Sequence, residues 1–200
     1  MRHLLLIIFI LELVITKINS ITLKCDITCD TEYQVLGTIC RCKVVGFNSI
    51  NRETITDVRH EGSFNGNYSD IKLILIDGQN MKFIPSNIYD FFSNIQGLII
   101  DESSLSSIDR NDLKYFKSLK FLFIGNNQIN SLDDDLFADN IDIVWLTYIN
   151  NFTKKISQNI LYPLNNLNFA NFQRNSCINF KAIGKSDIEK LKKFIMRDCA

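Results

Sequence analysis

The chain has 200 residues, 46% of them hydrophobic, enough for one folded unit with a continuous core. Lysine plus arginine and aspartate plus glutamate both number 22, so the formal net charge is zero. That balance excludes the basic excess that nucleic acid selects and any acidic tail; two prolines and eight glycines leave no linker or low-complexity tract.

Residues 1–20 read as a secretory signal peptide. Arg2 and His3 give a positive start, Leu4 to Leu11 are unbroken apolar, and Leu13 to Ile15 continue past Glu12. The stretch is too short and too interrupted to span a bilayer. Cleavage is expected near Ser20. No later segment is long and apolar enough to cross, and Arg197-Asp198-Cys199-Ala200 is no lipid-anchor signal, so the expectation is a soluble extracellular protein without a membrane anchor.

Residues 21–70 read as a cysteine-rich N-terminal cap carrying Cys25, Cys29, Cys40 and Cys42. Four cysteines beside one another suit an oxidising compartment. They pair either as the nested set Cys25–Cys42 and Cys29–Cys40 or as Cys25–Cys40 and Cys29–Cys42. Zinc is disfavoured, because Cys40-Arg41-Cys42 lacks the usual gap between ligands, so no metal is expected. Phe47 and Ile50 fit a repeat frame starting at 47 that puts Arg52 in a core position, and Thr54 to Val58 alternates like a half-exposed strand.

From residue 71 one pattern recurs every 24 residues, starting at 71, 95, 119, 143 and 167. With Leu119 as position zero, Leu122 stands at +3, Ile124 at +5, Asn127 at +8, Ile129 at +10 and Leu132 at +13. The other copies place Ile74 and Ile76, Leu98 and Ile100, Leu146 and Tyr148, and Ala170 and Phe172 at +3 and +5. Two positions apart on a strand is one face, so these pairs point into a shared core. The +8 side chain can then bond backbone groups left over by the turn. That position holds Asn127, Asn151 and Asn175 but Gln79 and Ser103 in the first two copies, which are expected to weaken the ladder; Asn140 interrupts the apolar column at +21.

Residues 178–200 read as a C-terminal cap. Ser186-Asp187-Ile188-Glu189 is a capping-box pattern, and Ile188, Leu191, Phe194 and Ile195 share a helical face. Cys177–Cys199 is the natural pair here, closing a loop worth about 3 kcal/mol on the chain-entropy model.

The frame L-x-x-L-x-L-x-x-N-x-L resembles the leucine-rich repeat. The Leu23-Lys24-Cys25 opening, the Cys42-Lys43-Val44 start of the first strand, the Ile84-Pro85-Ser86-Asn87-Ile88 turn and Asn126-Asn127-Gln128-Ile129-Asn130-Ser131-Leu132 followed by Asp135-Leu136-Phe137 are similar to the secreted leucine-rich repeat proteins of arthropods, especially small dipteran ones. The resemblance covers nearly the whole chain after the leader. It implies an α/β solenoid, a short horseshoe with a parallel sheet on its concave face and cysteine-stapled caps. It also implies extracellular protein recognition, often in development or immunity, and no cofactor.

On that architecture the candidate site is the concave face, made by the +2, +4 and +6 positions. Phe121, Phe123, Trp145 and Phe169 are expected to form an exposed aromatic patch, with Leu75 and Ile99 beside it and Asp77 and Asp101 as a polar rim. Such patches mark interaction surfaces. The occupant expected is an extracellular protein; the other uses are self-association into a homo-oligomer, as in a structural matrix component, and cover by a loop or a cap.

No catalytic set is found. After the leader, His60 is the lone histidine, in what reads as an exposed turn, so no histidine-based nucleophile arrangement has a second candidate. Asp133-Asp134-Asp135 lacks the alternation and glycine of a calcium loop. Of two Asn-x-Ser/Thr acceptors, Asn67 lies in a polar turn and is the expected glycosylation site, whereas Asn151 is a ladder residue turned inward.

Overall fold

The computed structural model describes residues 20–49 and 51–200. The expected signal peptide lies outside the described residues up to Ser20, as does Ile50.

The chain opens with a hairpin, β1 (Ser20–Tyr33) and β2 (Gly37–Val44), followed by β3 (Asn48–Ser49) and an edge strand β4 (Thr54–Glu61). The repeats then lay down β5 (Ile71–Asp77), β7 (Gly97–Asp101), β8 (Phe121–Gly125), β10 (Trp145–Ile149) and β12 (Phe169–Asn171). Between them run the short strands β6 (Asn80–Met81), β9 (Ser131–Leu132) and β11 (Lys155–Ile156) and the one-turn helices α1 (Ile88–Phe91) and α2 (Arg110–Leu113). The chain closes with β13 (Lys181–Ile183) and helix α3 (Gly184–Asp198). The main sheet has the order β13-β12-β10-β8-β7-β5-β2-β1-β4 among the described residues.

The repeat strands pair in parallel at the register the 24-residue step requires: Leu98 beside Leu122, Leu122 beside Leu146, Leu146 beside Ala170. Their +3 and +5 side chains are buried with those at +10 and +13 in one core that runs from Leu23 to Cys199. Each strand is followed at +7 by a residue in left-handed backbone: Gly78 at φ 63°, Glu102 at 45°, Asn126 at 51°, Asn150 at 52° and Arg174 at 58°. That kink turns the chain off the sheet. The +8 side chains then bridge neighbouring turns. Asn127 donates to the carbonyls of Ile100 (3.0 Å) and Gly125 (2.6 Å) and accepts from the amides of Ser103 (3.1 Å) and Leu105 (3.0 Å). Asn175 repeats the pattern on Tyr148, Asn151 and Thr153.

Several expectations change. The ladder is thinner at Ser103 and Gln79, as expected, but continues: Ser103 Oγ donates to the Asp101 carbonyl (2.6 Å), and Gln79 donates to the Asp77 carbonyl (2.8 Å) and accepts from the Phe47 amide (2.7 Å). A hydroxyl has one hydrogen where an amide has two, so Ser103 holds fewer groups. Asn140 is fully buried and donates to the carbonyls of Leu113 and Phe116, a polar role in an apolar column.

The frame starting at 47 is replaced by one starting at Ile39. Cys42 pairs with Ile74 and Val44 with Ile76, both are buried, and Gly46 takes the left-handed turn at φ 63°. The step from Ile39 to Ile71 is 32 residues rather than 24, because β4 and its loop are inserted. β2 is therefore a strand of the array within the segment expected to be cap. Arg52 is not in the core. Its guanidinium pairs with the buried carboxylate of Asp112 and, at 2.7 Å, with Asp109. Burial pushes the Asp112 carboxyl above its ordinary range, the hydrogen bond from Arg52 opposing it.

At the N-terminal end Cys25 joins Cys42 and Cys29 joins Cys40; at the other end Cys177 joins Cys199. Cys25 and Cys42 are fully buried at the sheet's core side. Helix α3 lays Ile188, Leu191 and Ile195 across the last repeat, while Phe194 packs edge-on against Phe180. The capping box at Ser186 is not used. The helix begins two residues earlier, at Gly184 with φ 77°, and Asp187 reaches back to the amide of Ile183.

Candidate binding face

The concave side of the sheet carries the +2, +4 and +6 side chains, and its two halves differ. Over β5, β7 and β8 the β1–β2 hairpin bends across the face. Tyr33, Leu36 and Ile39 pack on Leu73, Ile99 and Phe121, making a second apolar cluster on the opposite side of the sheet from the main core. The Tyr33 and Phe121 rings meet edge to face at 5.3 Å. Gly97 makes the approach possible: a Cβ there would lie 2.7 Å from both Leu36 Cδ1 and Leu73 Cδ1. Burial also raises the Tyr33 hydroxyl above its ordinary value, with Arg41 opposing.

This corrects the expected exposed patch. Phe121 and Ile99 retain 2% and 6% of their accessible surface, and Leu75 and Phe123 are half-buried. An uncovered run of Leu73, Ile99 and Phe121 would leave apolar surface in water, and the hairpin tip removes it. Of the alternatives weighed from sequence, cover by a cap accounts for this half.

Over β10, β12 and β13 the face stays open. Trp145 and Phe169 stack at 3.8 Å, half-buried, and Trp145 sits 6.3 Å from Phe121 at the border of the covered region. The Trp145 indole N–H donates to Thr147 Oγ1 at 3.3 Å. β13 runs antiparallel to β12 and extends the face beyond the last repeat, placing Ile183 opposite Phe169 and 62% exposed. Lys181 holds its ammonium 5.3 Å from the Phe169 ring centre. Lys181 and Ile183 were missed by the repeat frame because β13 belongs to the cap and runs the other way.

Beside the hairpin, at the +4 and +6 positions of β5, β7 and β8, lies a cleft of about 250 Å³ lined by Tyr33, Leu75, Asp77, Ile99, Asp101 and Phe123. Asp77 and Asp101 are register partners on β5 and β7. Asp101 accepts a hydrogen bond from Asn126 (2.8 Å), which in turn accepts from Asn150 (2.7 Å). All eight residues expected at the site thus lie on one sheet face, divided into covered, cleft and open parts.

The remaining candidates fall elsewhere. His60 is on β4 rather than in an exposed turn, half-buried, with Nδ1 3.2 Å from the Tyr68 hydroxyl and its ring edge-on to Phe64. Asp133, Asp134 and Asp135 are exposed after β9, and no group of three or more metal-ligating side chains converges among the described residues. Asn67 is exposed, whereas Asn151 is fully buried and donates to the Ile124 and Ile149 carbonyls.

The parallel sheet, the 24-residue step and the stapled ends define a leucine-rich repeat fold with cysteine caps. Two solved structures share it. A chain of the Toll–Spatzle complex, a molecular hub in Drosophila development and innate immunity, superposes with a TM-score of 0.50 at 16% identity over 60% of this chain. A chain of the LRIM1/APL1C complex does so with a TM-score of 0.50 at 14% identity over 76%. This chain spans 17% and 30% of those two chains respectively. No protein-family model matches it, and no curated protein matches its sequence.

Proposed function

We propose that this protein is a secreted, non-enzymatic binding protein that holds an extracellular protein partner on the open half of its concave face, in extracellular recognition or innate immunity. The observation that carries the reading is the Trp145–Phe169 stack with Ile183 beside it, an apolar surface left half-exposed among the described residues. Aromatic anchors of this kind supply most of the energy at protein interfaces. Both structural neighbours come from protein complexes, Toll with Spatzle and LRIM1 with APL1C, which supports a protein as the occupant. Three disulfides suit an oxidising compartment, and no described helix is long and apolar enough to cross a membrane. Asn67 is the proposed glycan acceptor.

The test is capture of partners from native extracellular fluid by the wild-type protein and by Trp145→Ala. The expected result is loss of the captured protein, equivalent to about 2 kcal/mol or more of affinity. Undiminished capture by the variant refutes the reading. Light scattering during size-exclusion chromatography addresses the alternative, a self-associating matrix component. A stable monomer supports a foreign partner, and an oligomer broken by Trp145→Ala supports self-association.

A further inference from the structure

The cleft beside the hairpin, over β5, β7 and β8, has a composition of its own. Its walls are apolar and aromatic, from Tyr33, Leu75, Ile99 and Phe123, and two carboxylates lie at one end. Asp77 and Asp101 stand on adjacent strands, whose backbones run about 4.8 Å apart. Among the described residues neither carboxylate is in an ion pair, although the chain carries as many basic as acidic residues. Lys43, opposite Leu75 on β2, is the nearest basic residue on the same face in register, and it pairs with neither.

The geometry around the carboxylates is kept clear. Asn126, itself held by Asn150, fixes one oxygen of Asp101 and leaves the other free. Gly125 has no left-handed backbone to explain it. A Cβ at that position would lie 2.5 Å from Phe123 Cε1 and 2.7 Å from Asp101 Oδ1, so the bare backbone is what lets ring and carboxylate sit where they do. Two carboxylates on adjacent strands at the end of an aromatic slot attract a cation, and a cation entering that slot is also attracted to the ring faces.

We infer that this cleft takes the charged end of an arginine or lysine side chain from the protein partner. The inference rests on the proposed reading of the concave face as the partner surface and names one contact within it. The carboxylates disfavour an anionic partner segment. Arginine fits best, because a planar guanidinium can bridge two neighbouring carboxylates.

The test uses the full protein with its disulfides formed, isotope-labelled for backbone amide NMR, and the probe Nα-acetyl-arginine amide. Nα-acetyl-citrulline amide, equal in shape and uncharged, is the control. Saturable shifts confined to residues 75–77, 99–101 and 123–126 are expected with the arginine probe, with citrulline at least tenfold weaker. The double variant Asp77→Asn, Asp101→Asn should lose the arginine response at least tenfold, and Trp145→Ala should keep it. Equal response to the two probes, shifts spread over the surface, or undiminished binding by the Asn variant overturns the inference. Partner capture separates the two proposals. If Trp145→Ala loses the partner while the Asn variant holds it at wild-type strength, the inference fails and the face stands. If both variants hold it, the face itself is wrong.

Discussion

Phe121 and Phe169 occupy the same position of two copies of one repeat, on the same side of the same sheet, and one is buried while the other is half-exposed. Nothing in their own repeats separates them. The difference is made by Tyr33, Leu36 and Ile39, more than eighty residues earlier in sequence than Phe121, which fold over one and stop short of the other. A repeat therefore determines which way a side chain points, and the caps determine whether what it points at is water. The covered half acts as a second core and the uncovered half is left for a partner.

Substitutions along one row sharpen that contrast. The largest effect is expected at Leu122, fully buried in the main core: Leu122→Ala should destabilise by about 4 kcal/mol, read by denaturant unfolding. Phe121→Ala, beside it but on the hairpin's side, should cost about 3 kcal/mol, because the cluster under Tyr33 loses its largest buried side chain. Trp145→Ala should cost about 1 kcal/mol, since its ring is only half removed from water. A Trp145 variant that melts as early as Leu122→Ala makes the open half part of the core and ends the comparison.

Glycosylation offers a further contrast. Mass spectrometry of secreted protein should find Asn67 occupied and Asn151 bare, since the Asn151 amide is spent on two buried carbonyls. High occupancy at Asn151 breaks the ladder in the fourth repeat.

The smallest effects are in acid. The Asp139 carboxyl is held down to about 2 by hydrogen bonds from Arg110 and then Lys117. Its folded value is depressed, so its contribution to stability is present above the ordinary carboxylate range and is lost as pH falls through about 2. Asp112 has the opposite sign: with its folded value raised by burial, it favours the fold in acid and loses that contribution as pH rises through the folded value. Asp139→Asn should flatten the acid side of the stability profile and Asp112→Asn should not, as followed by urea midpoints against pH.

The repeat strands from Ile71 onward, the ladder and the stapled ends were legible because each depends on local spacing: +3 and +5 for the core, +8 for the turn, cysteines gathered at two places. The strand at Ile39 was legible only in part, from Cys42-Lys43-Val44 read as the start of a first strand. Its core positions are held by Cys42 and Val44, its ladder position by Phe47, and its step to the next repeat is eight residues too long. The cover on the concave face was hidden for a different reason, since no periodicity links residues 33–39 to residue 121. Two signs were nonetheless present. Val35 and Leu36 are apolar residues at a hairpin turn, where polar ones are usual, and Gly97 stands in a column of Leu73, Phe121 and Trp145, where a missing side chain asks what fills the space.

Hydroxyl-radical footprinting of the native protein, read residue by residue by mass spectrometry, compares Phe121 and Phe169 directly, since the two rings are chemically identical and share the +2 position. The account predicts that Phe169, together with Trp145, is oxidised in the folded protein while Phe121 is protected until the protein is denatured. Oxidation of Phe121 at the rate of Phe169 would mean that the hairpin does not cover the face, and the division into a second core and an open binding surface would be wrong.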